Sequence, residues 1–378
     1  MNAKIHLILA DDWELLGTGS GNMRAIQFET MRRLCQVYEA HGLRASFNAE
    51  IMQQLVHLRF GRDHDELRQL AQEWEEIVRE TYTRGHDIQL HVHPQWSDAA
   101  YENGSWKLRG AWSILEYEAE RARRMLEEAK DYLEGLLRPL DPDYRCVSFR
   151  SGSWCIAPGK HVLRALAELG IVFDMSIVQG IFYDSPHVQL DYREIDEPFL
   201  PYYPDMTDAR RVAAAPQPIV CMPTHSFDAS LTGLGLRFAA RAVQRRVAAA
   251  RPLTRRYVAP RDTPIAGADF ERGAYVREES LGSGRSVAER KKRISDLGGL
   301  SFFQMREMLQ DIRRRARNAR QSVVPVVLEN HTKDLGDFGP IELFAREVAK
   351  APDIDVITAT EAARNLAESA YRVRTTSD

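Results

Sequence analysis

"IHLILADD" (residues 5–12) is an apolar run closed by two aspartates. A strand that is apolar throughout, rather than alternately, is one buried on both faces, as in a parallel sheet covered by helices. "MRAIQFETMRRLCQVYEAHG" (23–42) follows with helical spacing and a stop at Gly42. The alternation then continues. "LRASFNA" (43–49) reads as a second strand, helical segments fill 50–83, and "HDIQLHVH" (86–93) is a third strand. A long charged helix is expected over 112–137, a strand over 144–150, a helix over 158–170 and a strand over 171–176. Further strands are expected at 217–225, 323–331 and 354–360. Seven or eight such units predict a parallel α/β barrel.

The chain has 378 residues, 44% hydrophobic and 28% charged, with formal net charge -3. This is a globular composition without the basic excess that draws a protein to nucleic acid or anionic membrane. The four cysteines (Cys35, Cys146, Cys155, Cys221) form no CxxC pair and read as thiols rather than a disulfide framework. The apolar run at the start is too short for a signal peptide and no later segment suits a membrane span, so the cytoplasm is the expected location. Residues 1–378 are read as a single catalytic domain. The basic, Gly- and Pro-punctuated stretch 227–300 is expected to be an insertion, partly disordered or a lid, with its charges on a solvated face. No GxGxxG loop in a strand–helix context and no GxSxG elbow occurs, which disfavours nucleotide binding and serine hydrolysis.

In parallel barrels functional side chains gather at the carboxyl ends of strands. Those ends carry Asp11 and Asp12, His91 and His93, Arg150, Asp174, His225, Glu329 and His331. His91 and His93, two apart on one strand, point to the same face and can converge on one ion. A carboxylate from Asp11 or Asp12 would complete a facial triad with open positions.

"LILADDWE", "HDIQLHVHP", "FRSGSW", "FDMSI" and "VLENH" resemble, in order and rough spacing, the motifs of the polysaccharide deacetylase family, the chitooligosaccharide-deacetylase type of carbohydrate esterase. The resemblance spans about 4–365 apart from the 227–300 insertion. It implies a distorted (β/α)7 TIM-like barrel and metal-dependent hydrolysis of an N-acetyl amide on a sugar, with zinc the expected divalent ion. It further implies Asp11 as general base, Asp12, His91 and His93 as metal ligands, and Arg150 as the arginine that fixes the base. His331 becomes the general acid, supported by Asp174. Two departures stand out: the family's histidines are usually four apart, and the arginine motif usually continues with prolines and a tyrosine. The oxyanion-binding N–H is expected near Ser153 or Trp154. Trp96, Trp154 and Tyr183 offer flat faces to a sugar, and His225 is left outside the catalytic set. Hydrolysis of a non-sugar amide or imide, and carbohydrate binding without catalysis, are the alternatives.

Overall fold

The computed structural model describes residues 3–230 and 292–377. Strands β1 (Lys4–Trp13), β2 (Ser46–Glu50), β3 (Asp87–Val92), β4 (Ser148–Ser151), β5 (Phe173–Asp174), β6 (Val220–Cys221), β7 (Val323–His331) and β8 (Ile354–Ile357) form one sheet. Its order is β6-β5-β4-β3-β2-β1-β7, with β8 paired to β1, and every pairing is parallel. β1 shares one edge between two partners, β8 along Ile5–Ile8 and β2 along Ala10–Trp13. A parallel bridge from Thr224 to Val327 links the chain beyond β6 to β7 and so curls the sheet toward closure. This is the expected α/β barrel in distorted form.

Helices α1 (Glu29–Glu39), α2 (Ile51–Phe60), α3 (Asp65–Thr83), α4 (Ala119–Leu137), α5 (Lys160–Glu168), α6 (Phe302–Asn318), α7 (Gly339–Val348) and α8 (Ala359–Ala367) fill the connections. α4 starts later than its amphipathic pattern suggested, because Ser113 caps a separate 3-10 turn at Ile114–Glu116. Three hairpins, over 99–108, 182–191 and 204–212, were not anticipated. They occupy loops whose turn residues carried no clear strand periodicity. Of the 227–300 stretch, Ser226–Asp228 and Lys292–Ile294 pair antiparallel, bringing its two ends together. The expected disorder or lid falls on residues outside the described ones. Among the described residues, no helix is long and apolar enough to cross a membrane.

Strand alternation sorts the sheet into two faces. Ile5, Leu7, Leu9 and Trp13 of β1 join Val324, Val326 and Leu328 of β7 in the large core beneath the helices. Ile8 and Ala10 join Val327, Phe173, Met175, Val220 and Met222 in a smaller core inside the curled sheet, reached also by Ala359 and Ala362 of α8. Side chains at positions 12, 91, 150, 329 and 331 therefore inherit the inner face.

His57 of α2 sits beneath the rings of Trp96 and Trp106, its Nδ1 2.8 Å from the Gln53 carbonyl oxygen. Burial lowers its pKa to about 4, so the folded chain holds the ring neutral while the unfolded chain protonates it near 6.5. This contribution to stability is complete above pH 6.5 and falls as pH drops toward 4. Between pH 7 and pH 5, urea unfolding of a His57→Gln variant is expected to lose less stability than the parent, by on the order of 2 kcal/mol. Equal losses would mean that His57 is not held neutral.

Candidate functional site

Alternation first decides what the two aspartates do. Asp11 follows the odd-numbered, helix-facing positions. Its Oδ1 accepts from Tyr38 Oη of α1 at 3.1 Å and from Asn330 Nδ2 at 2.6 Å. Burial raises its pKa to about 7, against the pull of those two hydrogen bonds. Asp12 faces inward. Its Oδ1 accepts from Asn48 Nδ2 at 2.8 Å and from Arg150 at 3.0 Å. Arg150 is fully buried and also donates to the carbonyls of Ala10 and Met175 and to Thr224 Oγ1, each at 3.2 Å. Burial opposes ionisation of Asp12, yet Arg150, His91 and His331 together hold its pKa below the usual carboxylate range.

His91 and His93 meet as expected, with ring centroids 4.7 Å apart and planes at 86°. The carboxylate that joins them is Glu14, two residues past Asp12 on the same inner side. Its Oε2 lies 3.3 Å from His91 Nε2 and contacts His93 Nε2 closely, while Oε1 takes the Lys333 ammonium. Asp12 is drawn instead to Arg150. Gly152 lies over His93: a Cβ there would stand 2.8 Å from the imidazole, so the approach needs glycine. The next two residues, Ser153 and Trp154, hold φ values of +55° and +56° inside a tight turn closed by Cys155 N–H on the Gly152 carbonyl at 3.2 Å. Such strain at two non-glycine positions costs on the order of 1–3 kcal/mol each and is typical of functional sites. The turn delivers Trp154, whose indole N–H donates to Glu329 Oε2 at 3.0 Å and whose ring stacks on Tyr183.

His331 lies across Asp12, with Nε2 3.6 Å from Asp12 Oδ2. Its Nδ1 is 3.2 Å from Oδ2 of Asp296, in the returning end of the insertion. Burial disfavours its charge, but Asp296 outweighs burial and raises the pKa to about 10. Asp174, the expected partner, is on the opposite face of β5. Its carboxylate accepts from Ser176 Oγ at 2.6 Å and contacts Cys221 Sγ at 3.7 Å, and burial raises its pKa to about 6. The structure thus brings together Asp12, His91, His93, Arg150 and His331, and sets Asp11 and Asp174 apart. Sequence reasoning marked Glu329 as a strand-end residue without a role and missed Glu14 and Lys333, although these continue the two-residue spacing of 12 and 331. Asp296 carried no sequence signal.

The donor chemistry fits a divalent cation. His91 Nδ1 lies 2.8 Å from the Arg150 carbonyl oxygen, which only accepts, so Nδ1 carries the proton. In the neutral ring Nε2 is then a lone pair aimed at a carboxylate. Burial disfavours the imidazolium, but Asp12 and Glu14 raise the pKa to about 9. Either a proton or a metal ion must therefore lie between His91 and Glu14. His93 Nδ1 is 2.9 Å from Gln95 Nε2. Turning that amide over would let Gln95 Oε1, which has no hydrogen-bond partner among the described residues, accept from Nδ1–H and free Nε2 for a cation, at the cost of the bond that Gln95 Nε2 donates to the Gly17 carbonyl at 3.3 Å. The surrounding charge points the same way. Asp12, Glu14, Glu50, Asp296 and Glu329 face Arg150 and Lys333 as permanent cations, and burial raises the Glu329 pKa to about 7. Two imidazoles and one carboxylate are a donor set of catalytic zinc and of non-haem iron sites.

No family model matches the chain, and no curated protein matches it. Among solved structures it is similar to a protein assigned as a polysaccharide deacetylase from Mycobacterium smegmatis, with 13% identity over 99% of this chain and 94% of that one, TM-score 0.49. It is similar to Puue allantoinase at 12% identity over 98% and 93%, TM-score 0.47. A second protein assigned as a polysaccharide deacetylase, from Pseudomonas aeruginosa PAO1, matches at 13% identity over 98% and 93%, TM-score 0.46. None of these lends a residue role or a substrate to this chain.

The metal content of purified protein, read by plasma mass spectrometry, is expected to be about one divalent ion per chain. Glu14→Gln and His91→Ala should remove most of it, whereas Asp12→Asn should keep it. Loss in Asp12→Asn with retention in Glu14→Gln would reverse the choice of carboxylate.

Proposed function

We propose that the protein is a divergent member of the polysaccharide deacetylase family, a metal-dependent hydrolase that removes an acetyl group from an N-acetylated sugar. One observation carries this reading: the Glu14–His91–His93 cluster lies beside a carboxylate, Asp12, and an imidazole, His331, that face each other at 3.6 Å. Glu14, His91 and His93 would hold the ion, with zinc suited to the set. When bound, such an ion polarises an amide carbonyl and lowers the pKa of water.

The rest falls to the chain's own side chains. Arg150 and Asn48 occupy Asp12 Oδ1, which fixes the carboxylate and leaves Oδ2 to take a proton from the attacking water. The base role that the resemblance placed on Asp11 thus passes to Asp12, and the ligand role to Glu14. The ligand role moves by two residues and keeps the strand face, whereas the base role moves by one, from the helix-facing side to the inner face. His331, kept protonated by Asp296, gives its Nε2 proton to the departing nitrogen, without which an amine is a poor leaving group. Lys333 holds the second oxygen of Glu14 and so presents the first to the imidazoles. The Trp154–Tyr183 pair, planes within 14°, supports a flat sugar face near His331.

Acetate release from a panel of N-acetylhexosamine derivatives, with small amides alongside, tests the substrate class. Turnover of the small amides alone would favour a non-sugar substrate. Asp12→Asn and His331→Gln are expected to lower kcat by about 10²–10⁴ with metal retained, while Asp11→Asn leaves kcat largely intact. A collapse in Asp11→Asn with near-normal Asp12→Asn would return the base role to Asp11.

A further inference from the structure

Asp296 and His225 lie on opposite sides of Ser295, and the bonds around that serine are unusually complete. Ser295 Oγ is 2.6 Å from His225 Nδ1, and His225 Nε2 is 3.1 Å from Oδ2 of Asp311 on α6. Asp311 is held in turn by Arg314 and, at 2.8 Å, by Arg315 Nε. Serine, histidine and aspartate in contact have the order of a nucleophilic triad. Ser295, however, is fully buried, so no acyl donor reaches its oxygen. The relay must do something other than attack a substrate.

Its hydrogen bonds have a fixed direction. Asp311 can only accept, so His225 Nε2 carries the ring proton. Burial lowers the His225 pKa to about 4, against the pull of Asp311, and the neutral ring leaves Nδ1 as an acceptor. Ser295 Oγ–H therefore donates to Nδ1. The backbone of the same residue is laced on both sides: Ser295 N–H donates to the His225 carbonyl at 2.9 Å, and Glu329 N–H donates to the Ser295 carbonyl at 3.0 Å. Asp296, the next residue, forms a parallel bridge with Glu329 and turns its side chain the other way, onto His331. In the chain Asp296 lies far beyond β6, so local geometry cannot aim it. Tertiary bonds have to.

We infer that His225, Ser295 and Asp311 form a clip that positions Asp296 against His331, making His225 and Ser295 positioning residues for the general acid. This rests on the hydrolase reading above. Ser295→Ala removes the donor to His225, leaves Nδ1 buried without that bond, and frees the Asp296 segment to drift from His331.

The test pairs two substrates with one spectroscopic signature. An N-acetyl amide needs a proton on its leaving nitrogen, whereas the 4-nitrophenolate of 4-nitrophenyl acetate needs none. In Ser295→Ala, and in His225→Phe as the second variant, kcat for the amide is expected to fall roughly tenfold or more, with the ester held within about threefold. Asp296→Asn should give the same pattern, and the Ser295→Ala/Asp296→Asn pair should lose little beyond the larger single loss. Independently of turnover, the downfield Nδ1 proton of His331, assigned by its loss in His331→Gln, should be present in the parent and vanish or move in Ser295→Ala. Equal losses on both substrates, additive losses in the double variant, or an unmoved proton would overturn the clip. A parent that releases acetate from neither substrate would count against the hydrolase reading, and the proton resonance alone would then decide the positioning.

Discussion

The guanidinium of Arg150 is the constraint on which the inner face depends. A fully buried cation is tolerated only when paired and hydrogen-bonded, and removing one partner of such a pair costs about 3–5 kcal/mol. Arg150 meets that demand through Asp12 and two backbone carbonyls from β1 and the segment after β5, with Thr224 completing the set. One side chain thus ties together strands that the parallel topology holds far apart in sequence. It also settles the orientation of Asp12, because an oxygen committed to Arg150 and Asn48 leaves a single free one.

Around that pair the site is short of positive charge. Five inward carboxylates, of which burial raises the pKa of Glu50 and Glu329, are met by Arg150 and Lys333, and the imidazoles of His91 and His331 make up part of the difference by holding protons well above their usual pKa, despite burial. The two imidazoles are not equivalent. His331 has a dedicated carboxylate in Asp296 and so is suited to keep and deliver its proton. His91 shares Glu14 with His93, and an ion can replace its proton at the same place. On the proposed reading, acid–base work and cation binding are separated by which carboxylate each ring faces.

Much of this was legible in the chain. The continuous apolar strands predicted a parallel sheet, and β7 occupies the same residues, Val323–His331, that the pattern marked out. His91, His93, Arg150, Asp12 and His331 do converge. Asp11 and Asp174, to which the resemblance gave roles beside the ion and His331, lie on the other face of their strands, because neighbouring residues of a strand face opposite ways. Counting in twos from Ile8 and Ala10, which line the inner core, leads to Asp12 and Glu14 and passes over Asp11. The same count from Val327 leads to Glu329, His331 and Lys333.

The sequence by itself determined the parallel strands and the helices between them, though not the three hairpins in the loops, since apolar periodicity and capping are local properties. It also determined that ionisable groups crowd the carboxyl ends. Only the tertiary structure decided which face of each strand is the inner one, because that depends on how the sheet curls and on where the helices pack. It alone decided that Asp296 serves His331. That carboxylate arrives on the far end of the 227–300 insertion, next to Ser295, whose side chain and backbone hydrogen-bond to His225 and Glu329, residues remote from it in the chain.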